Sequence, residues 1–259
     1  MNSVYQSVIN GFRDLGKISI FVAQSIAWLF SKPYRFRQII DEMEFVGNQS
    51  LSIITLTALF TGAVFAFQSW IALDLVGTSA LVGVSVSLAL ARELGPVMCA
   101  IVVTGRAGAA MAAKIGIMRV SEQIDALEVL AISPKQYLIA PKIVAATIAT
   151  PLLCAIFILV GNVGGYFVGV HFCGVDPGIY IHNLKSYLDP WDLYHGMIKA
   201  TIFGFLMASI ACYKGYITKN GAEGVGKATN ESVVYGMVVI LVVDYFLTVL
   251  LPTGLKTQS

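Results

Sequence analysis

The stretch SEQIDALEVLAISPKQ, residues 121–136, carries three carboxylates, Glu122, Asp125 and Glu128, yet hydrophobic segments long enough to cross a bilayer stand on both sides of it. Its reading decides the fold. A chain that leaves hydrocarbon to make one short charged helix and then returns is built from membrane helices, with this stretch as an excursion between two of them. Composition points the same way. Of 259 residues, 57% are hydrophobic and 12% charged, and the mean hydropathy is +0.77. An average soluble domain is roughly 25% charged, and half that supply does not cover a water-facing surface of this size.

Working outward, the uncharged runs predict five crossings, near residues 51–73, 78–105 (interrupted by Arg92 and Glu93), 143–170, 193–213 (carrying Lys199) and 232–255 (carrying Asp244). The basic residues set the orientation. With a cytoplasmic N-terminus the inner segments hold Arg13, Lys17, Lys32, Arg35, Arg37, Arg106, Lys114, Arg119, Lys135, Lys142, Lys214, Lys219 and Lys227, against Lys185 and Lys256 outside. Cytoplasmic loops retain basic residues, so the stretch at 121–136 is expected inside. An uncharged run at 18–30, too short to span about 30 Å of hydrocarbon, predicts an interfacial helix. The expected fold is therefore all-α integral membrane: an N-terminal cytoplasmic or interfacial segment (1–46), then a transmembrane domain (47–259) of five helices with one cytoplasmic helix over 121–134.

Within that helix Ser121 is expected to cap the N-terminus, Glu122 and Asp125 to sit in the first turn, and Pro134 to end it. At 100° per residue Val120, Ile124, Leu127 and Ala131 share one face, and Glu122, Asp125 and Glu128 line another. Helices that rest on a membrane favour Lys and Arg against anionic headgroups; an acidic stripe points to a protein partner.

The wider context LARELGPVMCAIVVTGRAGAAMAAKIGIMRVSEQIDALEVLAISP resembles the MlaE family of phospholipid permeases, as does GAEGVGKAT followed by VDYFLTVLL; the resemblance runs from about residue 47 to 251. It implies the membrane subunit of an ABC transporter acting as a homodimer. Two cytoplasmic ATPase subunits and a periplasmic MCE-domain lipid-binding protein complete the assembly, which moves phospholipid at the bacterial inner membrane to maintain outer-membrane lipid asymmetry. It also implies that 121–134 is a coupling helix, with Glu122, Gln123, Ile124, Asp125, Leu127 and Glu128 meeting the ATPase. The first and last membrane helices of both subunits are implied to form an outward-opening pocket for acyl chains, with Phe65, Gln68, Leu73 and Val76 as contacts. This chain would then have no catalysis and no cofactor of its own, ATP and magnesium belonging to the partner.

The remaining features are weighed on their chemistry. Arg92 and Glu93 lie about 20 Å below the outer surface at the helical rise, where ionisable groups are costly and face protein or water. Adjacent side chains do not face each other, so each needs a partner; Lys199 and Asp244 are candidates, and Lys199 can also snorkel. The four are read as ion-pair packing or as part of the lipid path. GAEGVGKA resembles a Walker A loop, but Ala228 stands where a hydroxyl would hold magnesium and no strand precedes it, so its glycines are expected to shape a turn into the last helix. Small residues at Gly105/Ala109/Ala113, Gly108/Ala112/Gly116 and Gly161/Gly164/Gly165/Gly169 predict close helix contact. Four dispersed cysteines and the spacing of His171, His182 and His195 suggest neither a disulfide frame nor a metal site, and the scattered basic residues give no nucleic-acid footprint. Two other readings are an ion- or proton-coupled secondary transporter, using the buried charges as a relay, and an MCE-linked permease for another lipid such as a sterol or fatty acid. An intramembrane enzyme lacks paired catalytic groups.

Overall fold

The computed structural model of the protein describes residue 16, residues 20–25 and residues 36–251. Five of its helices are long and apolar enough to cross a membrane: α1 (Phe36–Asp74), α2 (Ser79–Val120), α4 (Lys135–His171), α6 (Pro190–Tyr216) and α7 (Gly221–Leu250). Two short helices join them, α3 (Gln123–Val129) between α2 and α4, and α5 (Pro177–Tyr187) between α4 and α6. With no strand among the described residues, this is the expected all-α integral membrane architecture with five crossings. Arg13, Lys17, Lys32, Arg35 and Lys256, and most of the expected interfacial helix, lie outside the described residues.

Helices α4 and α6 form the middle of the bundle with α2; α1 packs chiefly along α4, and α7 along α6 and the second half of α2. The glycines explain how tightly. A methyl group added at Gly62 would fall on the carbonyl of Gly161, and one at Gly164 on the carbonyl of Leu59, so α1 and α4 touch backbone to backbone. Gly215 of α6 likewise leaves 2.7 Å between such a group and the Ala112 carbonyl of α2. In lipid, where no hydrophobic drive pulls helices together, this close approach supplies the packing energy.

Helix α2 is not uniform. Two π turns, Leu90–Leu94 and Thr104–Gly108, interrupt it, and a third, Lys135–Ile139, opens α4. The first immediately precedes Pro96, which cannot donate to the carbonyl of Arg92; the wider turn reroutes the bonding, and Gly95 N–H donates to Leu90.

Helix α3 is shorter than the expected 121–134. Ser121 does not cap it: its hydroxyl donates back to the carbonyl of Ile117, extending α2. The break falls at Glu122, whose φ of 59° turns the chain through the left-handed region, and a second left-handed residue, Ala131 at φ 56°, closes the helix before Pro134. Pro134 instead precedes the π turn that opens α4. The glycines of GAEGVGKA are corrected too. They are not a loop but the first turns of α7, entered through Asn220 at φ 65°. At the far end α5 is locked down by Tyr180, whose ring sits where side chains at Gly83 and Gly169 would be, while the amide of Asn183 donates to the Ala80 carbonyl of α2.

Candidate functional site: a buried charge cluster and a clamped short helix

Three spanning helices bring the predicted intramembrane charges together. Lys199 of α6 is 1% exposed and does not snorkel; its ammonium donates to Glu93 Oε2 (2.5 Å), Asp244 Oδ1 (3.0 Å) and Thr248 Oγ1 (2.7 Å). All three of its protons are thus engaged by α2 and α7. The Thr248 hydroxyl stands 2.9 Å from the Asp244 carbonyl and 3.2 Å from Glu93 Oε2, with its one proton available to either.

Arg92 turns the other way, as the rule for adjacent side chains requires. Its Nε and Nη2 reach Asp192 Oδ1 at 2.6 and 2.5 Å. Asp192 Oδ2 meanwhile accepts from the Asp189 backbone N–H at 3.0 Å, completing a capping box at the N-terminus of α6. One carboxylate both starts α6 and receives α2. Sequence reasoning missed Asp192 and Thr248. The spacing Asp189-Pro190-Trp191-Asp192 was the available signal, because it matches a capping box with proline at the first helical position. Across these five charged side chains the balance is one net negative charge, held among helices where hydrocarbon would otherwise penalise it. The arrangement joins α2 to the N-terminal part of α6 and the C-terminal end of α7 and presents Glu93, the most exposed of the five, to whatever lies beside it.

Phe65, Gln68 and Leu73 on α1 and Val76 in the turn just after it form a separate set. Phe65 and Leu73 lean on the core, and Gln68 and Val76 are exposed. The structure therefore pairs Lys199 with Glu93 and Asp244, sets Arg92 on Asp192 beside them, and does not bring Phe65, Gln68, Leu73 or Val76 into these hydrogen bonds.

At the opposite end α3 is clamped to its own chain. Ile124 is fully buried. Asp125 pairs with Arg119 at 2.5 Å; the Arg119 guanidinium lies 5.7 Å from the Tyr216 ring, and the Tyr216 hydroxyl reaches Glu128 at 3.3 Å. Beneath it Phe21 packs on Tyr213 and Tyr216, and Lys135 donates to Gln24. Two of the three acidic side chains are thus engaged internally, while Glu122 and Gln123 are exposed and Leu127 is half-buried. Beyond them Val129 (87% exposed) and Leu130 (68%) form an uncovered apolar tip that the sequence reading did not single out.

The other candidates stay quiet. His171 stacks on Phe167, His195 rests against Trp191, and Cys99, Cys154 and Cys212 are buried thiols. Among the described residues no His, Cys, Asp and Glu cluster is arranged to hold a metal ion.

Comparison with known proteins places this geometry. The family described as permease MlaE matches residues 39–250. A probable ABC transporter permease protein of Rickettsia bellii is 40% identical, covering 95% of each chain. The intermembrane phospholipid transport system permease protein MlaE of Haemophilus influenzae is 35% identical over 97% of each. Protein trigalactosyldiacylglycerol 1, chloroplastic, of Arabidopsis thaliana is 34% identical over 89% of this chain and 66% of its own. A family match over most of the length, together with these identities, makes the conclusion direct: the chain belongs to the MlaE permease family.

Proposed function

We propose that the chain is the membrane subunit of an ABC transporter that moves phospholipid between the bacterial inner membrane and a periplasmic MCE-domain partner, maintaining outer-membrane lipid asymmetry. It works as a homodimer, its N-terminus is cytoplasmic, and ATP is hydrolysed by two separate ATPase subunits. The observation that carries this reading is α3: a seven-residue helix set between two membrane helices, anchored by Ile124, Arg119 and Tyr216, and ending in the uncovered Val129–Leu130 tip. An exposed apolar tip beside Glu122 and Gln123 suits a groove on a soluble motor. Because α3 is gripped from inside by Asp125 and Glu128, a push on the tip passes into α2 and α6 without bending the helix away. Ile124 serves as the anchor, and Leu127 and Glu128 as the shoulder.

The cargo assignment rests on the name of the Haemophilus relative, which specifies intermembrane phospholipid transport, and on the apolar side chains of α1. Phe65, Gln68, Leu73 and Val76 line the proposed acyl-chain path, and Arg92, Glu93, Lys199 and Asp244 form its polar floor. Purified with its ATPase in phospholipid vesicles, the wild-type permease is expected to move lipid with ATP turnover. Val129→Asp with Leu130→Asp, or charge reversal of Glu122, Asp125 and Glu128, is expected to leave a folded permease that no longer draws on the motor. Undiminished ATP-driven transport by both variants would refute the coupling role of α3. The surplus carboxylate at Lys199 favours one second reading, a cation or proton relay, and flux driven by a pH gradient without ATP would support it.

A further inference from the structure

A second buried charge group lies away from the Lys199 cluster, near the α3 end of the bundle. Glu42 of α1 forms an ion pair with Lys142 of α4 through Oε1, and Lys142 is 2% exposed. Lys114 of α2 stands 3.6 Å from the same oxygen, outside hydrogen-bonding distance, with its side chain 59% exposed. The other carboxylate oxygen, Oε2, is buried without a partner among the described residues, and so is Gln38 Oε1 one turn earlier. A buried carboxylate oxygen left unbonded is costly, and native structures keep few of them. Here an exposed ammonium stands beside one.

The position in the chain matters as much. Lys114 lies on α2 before α3, and Lys142 on α4 after it. Glu42 therefore touches both arms of the loop that carries the motor-facing tip, and it sits on α1, the helix that carries Phe65 and Leu73. The grip is unequal. Lys142 is held tightly, and α1 and α4 are already fused at Gly62, Gly161 and Gly164, whereas Lys114 is held loosely.

Resting on the function proposed above, we infer that Glu42 is a positioning residue, a two-position joint whose free oxygen is filled by Lys114 when α3 is driven. In the state described, Glu42 Oε1 carries both lysines, Lys142 in hydrogen-bonding contact and Lys114 as a loose ion pair at 3.6 Å, while Oε2 is unbonded. When a push on α3 moves α2 relative to the α1–α4 pair, Lys114 closes onto Oε2, and the displaced α2 is registered against the helix that lines the lipid path. The joint stores the displacement as a Lys114–Oε2 hydrogen bond that is made in one state and not in the other, which is what a coupling element needs.

The test uses the permease with its ATPase in phospholipid vesicles. Lys114→Met removes an exposed ammonium and should leave the fold and the rate of ATP hydrolysis unchanged, while lipid moved per ATP falls about fivefold or more, the size of a typical coupling energy. Lys114→Arg keeps a cation of similar reach and should restore it. Unchanged lipid per ATP in Lys114→Met, or no recovery in Lys114→Arg, overturns the joint. An independent reading needs no transport at all. Dicyclohexylcarbodiimide activates Glu42 as an acylisourea, and the lysine that attacks it forms an amide with loss of dicyclohexylurea. Peptide mass spectrometry should find Lys142 as the captor at rest, with a Lys114 product rising about fivefold after vanadate trapping of the ATPase. No rise in that product overturns the joint even in a complex that carries some other cargo, whereas a rise without phospholipid movement overturns only the cargo assignment.

Discussion

Tyr180 shows how one side chain fastens a helix. Its ring fills the space left by Gly83 and Gly169, and its hydroxyl is buried without a partner among the described residues. Burial, with Tyr166 alongside, pushes its phenol from the ordinary value of 10.0 up to about 12. The folded state thus favours the neutral ring, so what that ring contributes to the docking of α5 is full below pH 10 and falls away as pH rises towards 12. Tyrosinate absorbance followed with protection of α5 from proteolysis should show both changes together, and Tyr180→Phe should remove the step. Because the hydroxyl makes no bond, the same variant should be neutral or stabilising by about 1 kcal/mol in thermal unfolding. Lys199 is the opposite case. Replacing it with Met leaves Glu93 and Asp244 facing each other without a cation, at a cost of about 3 kcal/mol, the low end for a broken buried pair because Glu93 is partly exposed. Adding Asp244→Asn should recover part of that loss in the same unfolding assay. At this scale the sequence was informative where charge met hydrocarbon. Arg92, Glu93, Lys199 and Asp244 stood out because such residues are rare in membrane helices. Asp192 and Glu42 did not, because a carboxylate at a helix start or near a membrane boundary looks solvated until the fold supplies its partner.

Among the elements, the glycine seam between α1 and α4 offers the sharpest contrast. Gly62→Ala and Gly164→Ala each put a methyl group onto a facing carbonyl and should cost about 3 kcal/mol or drive the helices apart. Gly47→Ala, on the same α1 with open space around it, should stabilise by up to about 1 kcal/mol through helix propensity. Thermal unfolding in detergent separates the two outcomes. The close contacts at 161–169 were legible, since small residues repeating along an apolar helix have few other uses. The limits of α3 were not. Glu122, Ala131 and Asn220 all adopt left-handed backbone without being glycine, and two of the three carry no compositional signal of that bend. The sequence reading therefore extended α3 to its proline and took the opening of α7 for a loop.

Across the whole molecule, the five crossings and their order were legible because hydropathy and the distribution of basic residues report directly on the bilayer. Which side chains meet at the two ends of the bundle was legible only in part, since partnering between helices is set by packing that a linear pattern does not encode. One architectural fact reaches further than its description. Helices α1 and α4 are pressed together carbonyl to glycine, while α7 has the least buried apolar window of the five, with Val234, Val238, Leu241, Tyr245 and Val249 all uncovered. The α1–α4 pair is therefore expected to stay fixed while α7 moves against it. Spin labels set across the glycine contact should keep their separation through a full hydrolysis cycle, while a label at Val238 drifts by several ångström against either of them. The machine would then work by rocking its loosest strut against a fused plank, and its speed would be set by how fluid the surrounding lipid lets that strut be.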